Sequence, residues 1–124
     1  MEMKKVLALS GESDFDLEDF DVITEADLGN SNGYKAPASV LKRIAQVTKE
    51  EKFDAIIVQN NMGIGVDKAE AIDKSALKKV IVVWNSEPGD YDKAPYQKLG
   101  ITHFSSVFQL RKCLDEFIKG GKNG

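Results

Sequence analysis

Amide, hydroxyl and glycine residues follow the apolar segments of this 124-residue chain, and they are the residues whose types and spacing could do chemistry. Backbone N–H groups of glycine-containing loops, helped by amide and hydroxyl side chains, bind phosphate groups and nucleotides. The loops would take such a ligand if they met at one edge of a sheet. The candidate ligand-binding residues are Ser10, Gly11, Asn60, Asn61, Gly63, Asn85 and Ser86.

No complete catalytic or cofactor motif accompanies these residues. Gly63-Ile64-Gly65 lacks the third glycine of a dinucleotide-binding motif, and the chain contains neither a P-loop nor a Gly-x-Ser-x-Gly elbow. The single histidine, His103, is expected at the entrance of a strand, and Cys113 beside the apolar face of the last helix. We predict structural roles for both, and we predict no catalytic residue and no cofactor.

An acidic segment lies between the first two apolar runs and is the other candidate for chemistry. Its carboxylates, between residues 12 and 21, could collect a cation, but their spacing does not match a calcium-binding loop. A single cysteine also excludes a cysteine-based zinc site. We predict no metal site, and interpret the segment as a solvated loop or one that docks a basic partner.

Composition excludes several classes of protein. The net charge of −3 and the pI near 5.2 leave no basic field for nucleic acid, and the lysines are interspersed with acids. Apolar runs of about five residues are far shorter than the roughly 20 that cross a bilayer. The segment that begins at Met1 lacks the features of a secretory signal. We expect a cytoplasmic protein that binds neither nucleic acid nor membrane.

Apolar strands alternate with amphipathic helices along the chain, which predicts a doubly wound parallel sheet. The expected order of its five strands is 2-1-3-4-5, the flavodoxin-like or receiver-like arrangement. The first helix is expected to be truncated or irregular, because the first two strands are close in sequence. Residues 1–119 form a single α/β domain in this interpretation, and residues 120–124 a disordered tail. Predicted strands are 6–9, 21–24, 54–58, 80–84 and 102–104; predicted helices are 37–52, 67–79, a short one after Pro95, and 107–119.

From about Phe53 onward the chain resembles the receiver domains of two-component response regulators. The resemblance rests on the segments 54–63 and 99–104, which look like the third strand with its following turn and the approach to the fifth strand. Gln59 stands where these receivers carry the phosphoacceptor aspartate, and Ser10-Gly11 where they carry an acidic pair that holds magnesium. Ser106-Val107 replaces their lysine and proline, and their hydroxyl residue falls near Asn85 and Ser86.

The resemblance implies a pseudo-receiver that is not phosphorylated, because an amide cannot act as the nucleophile. Relatives of this kind bind partner proteins or dimerise. Receivers dock partners near the fourth strand and its loop, where Trp84, Tyr91 and Tyr96 cluster; we expect Trp84 in the core, and Tyr91 and Tyr96 at a partner-binding surface. The alternative is a protein or minor enzyme that binds a small molecule through the loops at the strand ends. Its pocket would be lined by Asn60, Asn61, Gly63, Asn85 and Ser86.

Overall fold

A five-stranded, fully parallel sheet forms the centre of the molecule, in the order β2-β1-β3-β4-β5. The computed structural model describes residues 3–10, 17–31, 35–60 and 63–123, the last three by their backbone alone. Both the fold class and the strand order predicted from the sequence are confirmed. The strands are β1 (Lys5–Leu9), β2 (Asp21–Thr24), β3 (Ala55–Gln59), β4 (Val80–Trp84) and β5 (His103–Ser106).

Helices cover both faces of the sheet. The helices are α1 (Ala38–Glu50), α2 (Gly65–Ala71), α3 (Asp90–Gln97) and α4 (Leu110–Asn123). Val40 of α1, Ala69 of α2 and Tyr96 of α3 pack in one apolar cluster with inward side chains of the central strands. Leu110 and Leu114 of α4 pack in a second cluster on the opposite face. The central strands are buried on both faces, which explains their continuous apolar sequences.

The described part of the connection between β1 and β2, residues 17–20, is a turn and not a helix. Residues 11–16, which hold much of the acidic segment, lie outside the described residues. At the end of the connection, the Phe20 N–H donates to the Leu17 carbonyl at 3.0 Å. Leu17 and Phe20 are buried in the second cluster beside α4. This short segment therefore helps to cover the face on which a regular first helix would pack.

Two helices differ from their predicted extents. The predicted helix 67–79 is divided: α2 ends at Ala71, Ile72 has extended backbone, and a 3-10 helix spans Lys74–Lys79. The division is stabilised where Asp73 accepts the Ser75 N–H at 3.2 Å and donates its own N–H to Thr48 at 2.9 Å.

The helix expected after Pro95 begins earlier than predicted. It starts at Asp90, because the Asp92 carboxylate accepts the Gly89 N–H at 3.0 Å and so caps the first turn, and Pro95 lies inside it. Tyr91 is thus a helical residue and not a loop residue.

The last helix also extends past its predicted end. Its backbone is helical as far as Asn123, beyond Lys119, where the sequence pattern ends the domain. No helix in the described part of the chain has both the length and the apolar character needed to cross a membrane.

Candidate binding cleft at the carboxyl ends of the strands

A row of neutral side chains connects the carboxyl ends of the three central strands. The Ser10 hydroxyl, just after β1, donates to the Gln59 side-chain carbonyl at the end of β3. The Gln59 amide nitrogen donates in turn to Oδ1 of Asn85, just after β4, at 3.1 Å. Because β1, β3 and β4 are adjacent, residues 49 and 26 positions apart in sequence become direct partners. We call these three residues the neutral row.

A second contact connects the β3 loop to α3. The Tyr96 hydroxyl donates to Oδ1 of Asn60, whose own N–H donates to the Val83 carbonyl at 2.8 Å. Tyr96 is fully buried, and this burial raises the pKa of its phenol well above the usual value. Gly65 makes room for it, since a Cβ at Gly65 would lie 2.5 Å from the Tyr96 hydroxyl oxygen.

Asn60, Asn85 and Tyr96, which take part in these contacts, line an open cleft of about 530 Å³ between the β3 and β4 loops and α3. The volume lies within the range of sites that bind small molecules, about 300–1,000 Å³. The cleft brings together four of the predicted ligand-binding residues, while Gly11 and Asn61 lie outside the described residues. Ser10 does not line the cleft; Gln59 connects it by hydrogen bonds to the lining residue Asn85. The lining residues are Asn60, Gly63, Val66, Trp84, Asn85, Ser86, Tyr91, Asp92, Pro95 and Tyr96.

The Trp84 indole N–H has no acceptor among the described residues, although its nitrogen is buried. Leaving a buried donor unpaired costs about 1–3 kcal/mol, so such groups are unusual in folded proteins. Trp84 is held by a T-shaped contact with Tyr96 at 5.6 Å and a tilted contact with Phe104 at 5.8 Å between ring centroids. Sequence reasoning placed Trp84 in the core, where it is, but did not place it in the cleft wall.

The aromatic residues divide into buried and exposed members. Tyr91 is 92% exposed, as expected of a partner-binding residue. Tyr96, predicted beside it at a partner-binding surface, is fully buried instead, because α3 begins at Asp90 and turns this residue onto the sheet. Phe108, which the sequence did not single out, is 88% exposed just after β5. The only sequence feature that could have pointed to Phe108 is its position just after the last strand.

A buried ion pair lies beside this edge of the sheet and was not anticipated. Nζ of Lys68 on α2 contacts Oε1 of Glu25, just after β2, at 2.8 Å, and both side chains are almost completely buried. The Asn30 amide donates to the other oxygen of the Glu25 carboxylate. The two charged residues are 43 positions apart, and no local motif marks either of them.

The remaining candidate residues do not form a site in the described part of the chain. His103 is the first residue of β5, as expected, and its ring packs against Phe117 at 4.6 Å. Cys113 is half-buried in α4, and burial raises the pKa of its thiol, which disfavours the reactive thiolate. Among the described residues, no group of three or more His, Cys, Asp or Glu could hold a metal ion.

Comparison with known proteins identifies a likeness of fold. No family model matches the chain, and no curated protein matches it by sequence. Among solved structures, it is similar to the Francisella response regulator 1452 receiver domain, with a TM-score of 0.60 and 13% identity. The match covers 97% of this chain and 99% of that domain. The likeness to a receiver fold thus extends over nearly the whole chain, beyond the part from Phe53 onward on which the sequence resemblance rested.

Proposed function

We propose that this domain is a non-catalytic interaction module of pseudo-receiver type, which binds a partner protein or a second copy of itself. The observation that carries the proposal is the neutral row of Ser10, Gln59 and Asn85. It occupies the carboxyl ends of β1, β3 and β4, the edge where ligand sites of open α/β sheets lie.

Phosphoryl transfer to a receiver requires a carboxylate nucleophile, a divalent ion and nearby positive charge. An amide at position 59 supplies no nucleophile. Its two polar atoms are also already paired, one with Ser10 and one with Asn85. The row thus holds β1, β3 and β4 together by neutral hydrogen bonds, which supports a role that does not depend on phosphorylation.

The partner-binding surface in this proposal contains Tyr91 and Phe108, which follow the neighbouring strands β4 and β5. Both side chains are almost fully exposed, at 92% and 88%. Large aromatic side chains often carry most of the binding energy of an interface. We call these two residues the aromatic pair.

Phosphorylation is tested with acetyl phosphate and Mg²⁺, followed by intact-mass measurement, with a phosphorylatable receiver domain as the positive control. We expect no mass increase of one phosphoryl group on this chain under conditions that modify the control. A stoichiometric increase would contradict the proposal, and peptide mapping would then locate the acceptor.

Docking is tested with a photo-crosslinking amino acid placed at position 91, 108 or 102. Thr102 is the matched control, since it is exposed but precedes β5 at the opposite edge of the sheet. We expect crosslinks to a defined partner or to a second copy from positions 91 and 108 only. Equal crosslinking from position 102, or none from the aromatic pair, would show that the surface is wrong.

A further inference from the structure

We propose that the cleft between the β3 and β4 loops and α3 binds an uncharged, planar heteroaromatic ligand whose ring carbonyl oxygens accept hydrogen bonds. This inference does not depend on the protein-interaction role, because it rests on the cleft, which shares only Tyr91 with the aromatic pair. It also differs from the phosphate-containing ligand that the sequence suggests.

Hydrogen-bond donors that no other described residue accepts lie along the cleft. Oδ1 of Asn60 accepts from Tyr96, and Oδ1 of Asn85 accepts from Gln59. Neither asparagine amide nitrogen donates to another described residue; Asn85 is exposed and Asn60 is half-buried, so water can hydrate both amides. A ligand with acceptor oxygens can take the place of that water, and the unpaired, buried Trp84 indole lies in the wall of the same cleft.

The charge of the cleft lining disfavours an anionic ligand. None of the described residues that line the cleft is lysine, arginine or histidine, and Asp92 contributes a carboxylate. A phosphate dianion would meet no counter-charge here and would be repelled by Asp92, since sites for phosphate use lysine, arginine or helix N-termini. Asp92 accepts the Gly89 N–H, so its carboxylate lies at the N-terminus of α3, where it opposes the approach of an anion.

Apolar side chains also line the cleft. Pro95 and the exposed Tyr91 ring give it apolar surfaces next to the amide donors, and the largely buried Trp84 contributes to its wall. Aromatic rings stack favourably in such surroundings, and small-molecule sites typically combine apolar walls with a few polar groups. A pyrimidine-dione or purine-dione ring matches both the donors and the walls.

The test uses the indole N–H of Trp84, because the chain has a single tryptophan and its ¹⁵N-labelled form gives one indole cross-peak. Uridine and caffeine serve as uncharged probes at about 10 mM, ten times a millimolar Kd. We expect at least one of them to shift the indole cross-peak in a saturable manner. Uridine 5′-monophosphate is the phosphate arm, and it is expected to bind no more tightly than uridine.

Matched variants show whether the donors are responsible. Asn85→Asp keeps the oxygen that accepts from Gln59 but replaces the amide donor with a charged oxygen, and we expect it to weaken binding at least tenfold. Gln97→Glu makes the same charge change on an exposed residue of α3 outside the cleft lining and is expected to leave binding unchanged.

Three results would overturn the proposal. An indole cross-peak that neither uncharged probe moves would mean that the cleft does not take this class of ligand. Binding of the monophosphate at least tenfold more tightly than uridine would assign the cleft to phosphate. A cross-peak that moves on dilution without any probe would indicate that a second copy of the chain occupies the cleft.

Discussion

Tyr96 is the residue on which the candidate cleft is built, and Gly65 is the residue that admits it. A Cβ at Gly65 would lie 2.5 Å from the Tyr96 hydroxyl oxygen and 3.1 Å from both the Gln59 carbonyl oxygen and a Val58 methyl carbon. The first of these contacts is too short for any real Cβ, so the Tyr96 ring would have to move within a packed core. The hydrogen bond between Tyr96 and Asn60 would move with it.

Gly65→Ala is therefore expected to destabilise the domain by about 1–3 kcal/mol, the usual cost of overpacking. In a Tyr96→Phe background the same substitution should cost less, because the oxygen it strikes is gone. A double-mutant cycle by urea denaturation measures the difference. Equal costs in the two backgrounds would mean that Tyr96 does not limit the space at Gly65.

The Tyr96 phenol also predicts a dependence of stability on alkaline pH. Burial raises its pKa in the folded protein above 10.0, the usual value that the unfolded chain retains. Above pH 10 the unfolded chain binds fewer protons than the folded protein, so the free energy of unfolding should fall as the pH rises.

Chemical denaturation between pH 8 and 11 measures this loss. Cys113→Ala serves as the background, because burial raises the thiol pKa as well and adds a loss of the same sign. Tyr96→Phe should flatten the curve above pH 10. If the Tyr96→Phe variant lost stability above pH 10 as steeply as the Cys113→Ala protein, groups other than Tyr96 would be responsible for the loss.

At the scale of elements, the Glu25–Lys68 pair joins α2 to the turn that follows β2. Breaking a buried pair by removing one partner leaves an uncompensated charge, which typically costs about 3–5 kcal/mol. We expect Lys68→Met to cost that much, and Lys68→Met with Glu25→Leu to recover a large part of it. Thermal and urea unfolding measure both. A double variant no more stable than the single variant would show that shape, and not charge, dominates at this position.

Arg111 of α4 contacts the turn formed by residues 17–20 and holds it against the helix. Its guanidinium contacts the Asp19 carboxylate through two nitrogens and lies 4.8 Å from the centre of the Phe20 ring. Arg111 lowers the pKa of Asp19 below its usual 3.8, so the contribution of the pair is present above that pH and is lost as the pH falls.

The Tm difference between the wild type and Asp19→Asn should accordingly shrink between pH 6 and pH 2. High salt should shrink it as well, since the pair is exposed to solvent. Asp90→Asn is a control for the loss of one exposed carboxylate elsewhere. A difference that stays constant with pH would mean that Asp19 acts through packing and not through its charge.

At the scale of the whole molecule, the end of the domain is open to a direct test. Leu110 and Leu114 of α4 are buried, Phe117 and Ile118 pack partly against the second cluster, and Gly120 is exposed. We predict that removal of residues 120–124 changes the free energy of unfolding by no more than about 0.5 kcal/mol. A second truncation after Glu116 removes Phe117 and Ile118 and should be clearly destabilising. Equal stability of the two truncations would place the end of the domain earlier.

The sequence by itself determined the architecture. Five short apolar runs separated by amphipathic stretches predict a parallel sheet covered on both faces, because only strands buried on both sides are apolar at every position. The observed order β2-β1-β3-β4-β5 is the common order for five strands in this class of fold, which is why it could be predicted. The strand-end rule also predicted that Asn60, Gly63, Asn85 and Ser86 share an edge, and they line one cleft.

Tertiary structure alone decided the partners of individual side chains. Local spacing records which positions are buried, but it carries no information about which distant residue lies opposite. The neutral row depends on the adjacency of β1, β3 and β4, and the Glu25–Lys68 pair joins residues 43 positions apart. Tyr96 turned inward because Asp92 capped α3 at Gly89, earlier than Pro95 suggested. The strands could be predicted because the apolar residues of each buried strand are consecutive in sequence. The cleft could not, because it forms only when α3 packs against β4.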